Sequence, residues 1–422
     1  MTVPSQVTGD RLALLVRLSQ AFNSTLTLDE VLKRVMDEVI AAFRAERGFV
    51  MLREEDGTLT FRSARGMDQS TIEDPQFQVS RGVVERVAQQ GRPVLTSDAQ
   101  QDGRFSLRQS VSALGLRSIL CVPLMVRDRL LGVVYVDNRL HCGVFSDADL
   151  DLLAAIASTA AIAIENARLY EMAVDKGRME RELQVAREVQ ASLLPHVTPQ
   201  LPGWEFVARW RPAREVAGDY YDFVPLERGR LGVVMADVSD KGMPAALFMA
   251  LTRSIVRASV IPAATPAKGI AAANRLVCAD SSGGMFVTLF YGQLHPATGV
   301  LSYVNAGHNP PLLHRAGEDR LLEWRPTGMA LGVMEDALFE QRVVRLHRGD
   351  WVLLYTDGLT DATDARSNRF GLERLRRVLL DASQKDAPAA EIVAAVESAV
   401  NGFAGNAAPF DDMALVLIKW AL

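Results

Sequence analysis

The 422-residue chain has little cysteine: Cys121, Cys142 and Cys278 are its only three, far apart and without a CxxC spacing. That excludes a disulfide framework and a thiolate zinc site, and it fits a reducing cytoplasm. Charge of neither sign dominates, with 46 Lys and Arg against 51 Asp and Glu and a net charge of -5. Nothing in that balance calls for nucleic acid or an anionic membrane surface as a partner. Long hydrophobic runs are missing too. The most apolar helical stretch, Leu152 to Ile164, is too short for a membrane span and is diluted by Ser158 and Thr159, so it reads as a buried helix. The opening "MTVPSQVTGDRLALLV" has no basic segment followed by a long apolar one and does not read as a signal peptide. Internal repeats, low-complexity tracts, a Walker-type glycine loop and a cysteine-phosphatase motif are all absent.

What remains is a globular composition, 49% hydrophobic and 23% charged, long enough for two or three domains. Three regions are expected. The first, residues 10–165, begins with two amphipathic helices; Thr27 or Asp29 is placed to cap the second. Short strand signals follow, among them "SILCVPLMV" and "LLGVVYVDN", which the turn "RDR" should join as a hairpin. A long helix then starts near Ser146, where "SDAD" offers a cap. The second region, residues 166–195, is charged and helical in propensity. Met172, Met179, Ala186 and Leu193 recur every seven residues, with Leu169 and Leu183 on a neighbouring row. This narrow seam predicts a coiled-coil-like linker joining two copies in a homodimer, weakened at Gly177 and stopped by Pro195. In the third region, residues 200–422, strand groups alternate with paired helices. That pattern predicts an α+β layered domain with antiparallel sheets.

Acids sit at the strand ends of this third region. "LGVVMAD" ends in Asp237 and "WVLLYTDG" in Asp357, "PFDDMALVLIKW" starts with Asp411 and Asp412, and "VAGDYYDFVPL" brings Asp219 and Asp222. If those ends meet, several carboxylates share a small volume, which their mutual repulsion forbids without counter-charge. No block of Lys or Arg lies close in sequence. Divalent cations would offset the charge, and an all-oxygen donor set points to magnesium or manganese. Two such ions could activate a water and neutralise a phosphate during in-line attack, so phosphoester hydrolysis without a covalent protein intermediate is the expected chemistry. His308, in "NAGHNPP", reads as a structural hydrogen-bonder.

"AREVQASLLP", "PAREVAGDYYDF", "ADVSDKGMPAALFMA", "FVTLFYGQL", "YVNAGHNPP", "RGDWVLLYTDGLTDA", "FGLERL" and "DDMALVLI" together resemble the SpoIIE-like, PPM-type family of bacterial serine/threonine phosphatases, over about residues 180 to 422. The resemblance implies an αββα sandwich and removal of phosphate from serine or threonine with two Mn2+ or Mg2+ ions. It implies a phosphorylated STAS-domain anti-sigma factor antagonist as substrate. Carried over by motif, the metal ligands are Asp219, Asp237 (bridging), Asp357 and Asp411, with Asp412 the alternative at the last position and the backbone carbonyl of Val238 completing a shell. The helix opening at Pro244 resembles the family's regulatory switch element. Two positions depart from the family's pattern: Ala217 stands where a glycine is usual, and so does Asp240. They motivate an alternative, a catalytically silent dimeric sensor that binds its partner without hydrolysis. Arg214 and Lys241 are the candidates for a phosphate clamp. In the first region, "GLRSILCVPLMVRDRLLGVVYVDNR" and "FSDADLDLLAAIASTAAIAIENARLYE" resemble a GAF domain, a sensory module built on an antiparallel sheet with helices. A small ligand of unknown identity is expected there; Cys121 and Cys142 are expected to be structural.

Overall fold

The computed structural model describes residues 16–22, 27–68, 70–72, 79–104, 114–281, 284–383 and 387–421. The chain divides into two compact units, Met1–Met179 and Glu180–Leu422.

In the first unit, helix α1 (Leu28–Phe43) buries Val31, Leu32, Val35, Met36, Val39, Ile40 and Phe43, the face that its 3.6-residue periodicity predicts. Thr27 occupies the N-cap position, but its side chain makes no capping bond; its carbonyl accepts from Val31 N–H instead. Strands β1 (Arg47–Arg53), β2 (Leu59–Gly66), β3 (Val94–Thr96), β4 (Ser118–Val126) and β5 (Arg129–Asn138) form an antiparallel sheet in the order β2-β1-β5-β4-β3. The β4–β5 hairpin turns where "RDR" predicted, with Arg127 at a φ of 52°. One face of the sheet packs against α1 and the Ala-rich start of a long helix, and the other against α2 (Arg81–Gln90).

That long helix, α3 (Asp147–Leu193), runs for 47 residues. Ser146 opens it with a capping arrangement: both its backbone N–H and its hydroxyl donate to Asp149 Oδ2. The helix closing the first region and the expected linker are thus one element. Its early turns are buried at Leu153, Ile156, Ala160 and Ile164, whereas Leu169, Met172 and Met179 are exposed. It stops at Leu193, two residues short of Pro195. Among the described residues no helix is long and apolar enough to cross a membrane.

The second unit has two five-stranded antiparallel sheets. One contains β7 (Tyr220–Pro225), β8 (Leu231–Val238), β9 (Val287–His295), β10 (Val300–Ala306) and β13 (Arg342–Arg345), in the order β13-β10-β9-β8-β7. The other contains β6 (Trp204–Arg211), β11 (Leu312–His314), β12 (Leu321–Glu323), β14 (Trp351–Tyr355) and β15 (Met413–Trp420), in the order β12-β11-β14-β15-β6. The runs "WVLLY" and "MALVLIKW" are apolar on both faces because both faces are covered. Val352, Leu354, Val416 and Ile418 meet the other sheet. Trp351, Leu353, Leu415 and Leu417 meet α6 (Leu372–Ser383) and α7 (Ala389–Ala404). Helices α4 (Met243–Val260) and α5 (Pro266–Asp280) pack on the β7–β10 sheet and complete an αββα sandwich.

Candidate functional site

Antiparallel pairing brings the acids together two by two. In the first sheet of the sandwich Tyr220 pairs with Ala236, so the register carries Asp219 to the end of the ladder where Asp237 sits. In the second, Tyr355 pairs with Leu415, and Asp357 in the following 3-10 turn meets Asp411 and Asp412. Gly358 makes this approach feasible: a Cβ there would run into the backbone carbonyl of Asp412. Gly218 does the same on the first sheet, since its Cβ would stand 3.1 Å from the carbonyl oxygen of Val238.

The acids perturb one another. Burial, then the charge of Asp237, pushes the Asp219 carboxyl well above the ordinary carboxylate range. Burial, then Asp357, with Asp411 and Asp412 adding, pushes Asp237 up to about 7. Asp357 is raised by burial and then by Asp411 and Asp361, with Lys241 opposing. Asp412 is raised by burial, against the backbone amides of Ala213 and Gly218. Asp219, Asp237, Asp357, Asp411 and Asp412 therefore form one electrostatic network of five carboxylates, with Asp361 acting on it through Asp357. Among the described residues no three His, Cys, Asp or Glu side chains converge tightly enough to cage an ion as they stand. The donor set nevertheless suits a hard divalent cation. It is all oxygen, Asp219 Oδ2 is buried with no hydrogen-bond partner, and the Val238 carbonyl faces a glycine with no Cβ to cover it.

Each predicted residue has a definite place. Asp412 is committed to the backbone, accepting from Ala213 N–H at 2.8 Å and Gly218 N–H at 2.7 Å, so it holds the loop that delivers Asp219. Asp411 accepts from the Lys241 ammonium, 2.8 Å from its Oδ2. Asp222 lies outside the cluster. The alternation of β7 turns it to the helix side, where it is buried between Arg253 and Arg257 of α4 at 3.4 and 3.5 Å. Arg214 is exposed, whereas Lys241 is in the network. Ala217 is not among the described non-glycine residues with positive φ, so glycine is not needed there. Asp240 is among them, at a φ of 78°, which is why glycine is the natural occupant of that position. His308 is buried, with Nδ1 2.9 Å from Thr288 Oγ1 and its N–H donating to Asn305 Oδ1.

Two residues with no pattern of their own also shape the site. Gln190, near the end of α3, is buried and grips Ala217 on both sides: its Nε2 donates to the Ala217 carbonyl at 2.7 Å, and its Oε1 accepts from the Ala217 N–H at 3.0 Å. Thr356, fully buried, accepts from Ala414 N–H at 2.9 Å, donates to the Ala414 carbonyl at 3.3 Å, and opposes the rise of the Asp219 carboxyl. The only sequence signals for them were their places in "REVQASLLP" and "YTDG".

In the first unit, Cys121 is buried and its thiol is pushed up by burial, while Cys142 is exposed; both are free thiols. A cleft of about 980 Å³ lies between β1–β2 and α2, lined by Met51, Arg53, Phe61, Val79, Val84 and Gln89 among others.

The sandwich of two antiparallel sheets flanked by helices is the phosphatase-2C fold. It matches the SiaA-PP2C domain of Pseudomonas aeruginosa at a TM-score of 0.53 and 20% identity, over 58% of this chain and 99% of that one. Residues 227–421 match the family described as Stage II sporulation protein E (SpoIIE), and residues 27–164 match the GAF domain. The chain thus carries a GAF domain followed by a SpoIIE-type PPM domain. It is 30% identical to Protein IcfG of Synechocystis sp. over 281 residues, 59% of this chain and 43% of that protein. It is also 29% identical to Phosphoserine phosphatase RsbU of Bacillus subtilis over 183 residues, 43% of this chain and 54% of that protein. The chain spans about half the length of these curated relatives.

Proposed function

We propose that the C-terminal unit is a metal-dependent protein serine/threonine phosphatase, controlled by the GAF domain and acting on a phosphorylated STAS-domain anti-sigma factor antagonist. The observation that carries this reading is the network of five carboxylates at the strand ends, with Asp237 raised to about 7. Asp219, Asp237, Asp357, Asp411 and the Val238 carbonyl would hold two Mn2+ or Mg2+ ions. Bound there, the ions supply an activated water nucleophile and neutralise phosphate charge. The chain's own residues do the rest. Asp412 fixes the Ala213–Gly218 loop, Thr356 opposes the rise of the Asp219 carboxyl, and Gln190 holds the main chain two residues before Asp219. Burial of these groups raises the cost of unbalanced charge and so favours the loaded state. The resemblance to a protein titled phosphoserine phosphatase supports the same chemistry. We place the protein in the cytoplasm as a homodimer held through α3.

Turnover decides the matter. With Mn2+ supplied, the full chain should release phosphate from p-nitrophenyl phosphate and from a phosphorylated STAS protein. Asp237→Asn should lower that rate by more than about a hundredfold, beyond the loss that follows removal of an outer-shell partner. Equal rates for the two proteins would dismiss catalysis. They would favour the silent sensor, for which the one structural observation is the carboxylate at the left-handed position 240.

A further inference from the structure

Lys241 reaches into the acid network from the loop that starts α4. Its ammonium stands 2.8 Å from Asp411 Oδ2 and donates to the Phe410 carbonyl at 3.2 Å. The same ammonium lies 4.6 Å from the centre of the Phe410 ring. Its charge also opposes the rise of the Asp357 and Asp412 carboxyls. Three contacts thus tie the segment before Met243 to the segment before β15. Gly242, between Lys241 and the helix, has a φ of 81°, so the tie acts on a sharply turned connection.

An ammonium and a divalent ion compete for one carboxylate, because each needs the same oxygen lone pairs and each repels the other. Asp412 is the less available neighbour, since each of its oxygens already accepts a backbone amide. We propose that Lys241 is a resident counter-cation that stands in for metal at Asp411 and must leave it when a divalent ion loads. Metal occupancy and the anchoring of α4 are then linked. Loading frees the Lys241 tether, and by reciprocity whatever pulls α4 off its tether tightens metal binding. This rests on the acid network being the metal site, but it concerns affinity and order at the start of α4, not turnover.

The test is Mn2+ binding to the full chain, measured by calorimetric titration for the wild type, Lys241→Met and Lys241→Arg. Asp237→Asn serves as the control for the site itself. Lys241→Met should bind Mn2+ about three- to tenfold more tightly than the wild type, the range open to a partly solvated, screened pair. The gain should shrink as ionic strength rises, and Lys241→Arg should stay near the wild type. Unchanged or weaker binding by Lys241→Met, with Mn2+ still bound by the wild type, would overturn the proposal and leave the metal reading standing. Absence of Mn2+ binding in both proteins would overturn both. Independently, hydrogen exchange of residues 241–246 in the wild type should speed up on Mn2+ addition; slower or unchanged exchange contradicts release of the tether.

Discussion

His308 shows how much a single residue's surroundings decide. Its motif, "NAGHNPP", reads only as a loop with a hydrogen-bonding histidine, and that is the contact it makes, to Thr288 and Asn305. Burial lowers its pKa from 6.5 to about 4. The unfolded chain therefore takes up this proton first as the pH falls. The stability contributed by neutral His308 is complete above about 6.5 and lost as the pH drops through about 4, by roughly 3 kcal/mol in all. Urea unfolding of His308→Asn, compared with the wild type from pH 7 to pH 4.5, should show a shallower loss of stability in the variant. Parallel curves would mean that the histidine titrates alike in the folded and unfolded protein. Asp219, Asp237, Asp357 and Asp411 were legible in the sequence for a simple reason: an acid ending or starting an apolar strand contradicts its surroundings. Gln190 and Thr356 were not, because a neutral polar side chain in a helix or after a strand breaks no pattern, and its importance lies in which backbone it reaches. Asp222 looked like the other acids, but strand alternation sent it to Arg253 and Arg257. Asp240 was visible as a departure, and its φ of 78° supplies the physical reason.

Among the elements, α3 and α4 matter most. Helix α4 is held by charge at two places, through Lys241 at its entry and through Arg253 and Arg257 on Asp222, three residues beyond Asp219. Helix α3 ends in the Gln190 grip on Ala217. The heptad recurrence along α3 was legible because a narrow apolar seam inside a charged helix is a periodic signal. That the seam continues the helix closing the first unit was not, because propensity does not say where one helix stops and the next begins. Met172 and Met179 are 59% and 64% exposed in the single chain, as a seam awaiting a second copy would be. Sedimentation velocity should therefore find Met179→Glu monomeric at concentrations where the wild type is a dimer. A dimer that persists in the variant would place association on another surface.

The whole molecule is two units, each with its own cores: two clusters on the faces of the first sheet, one between the sheets of the sandwich and one beneath α6 and α7. Repulsion among the clustered carboxylates burdens Glu180–Leu422. Scanning calorimetry with Mn2+ present should resolve two transitions, and EDTA should lower only the one belonging to that unit. At a hundredfold excess over the dissociation constant the shift should be about 5–10 °C. An equal shift of both transitions, or of neither, would contradict metal held by the acid cluster. The order of strands and paired helices made the layered class readable in advance. The sheet orders were not readable, because they depend on pairings between segments far apart in the chain.

At Gly358 the main chain touches the main chain of Asp412, with no side chain between them. The separation of the main chains that carry Asp357 and Asp411 is thus set by the thickness of the backbone. Resizing neighbouring side chains offers no means of widening it. Any retuning of this site toward a larger ion would have to act through the length of the acids themselves, exchanging aspartate for glutamate, or through the loops that carry them.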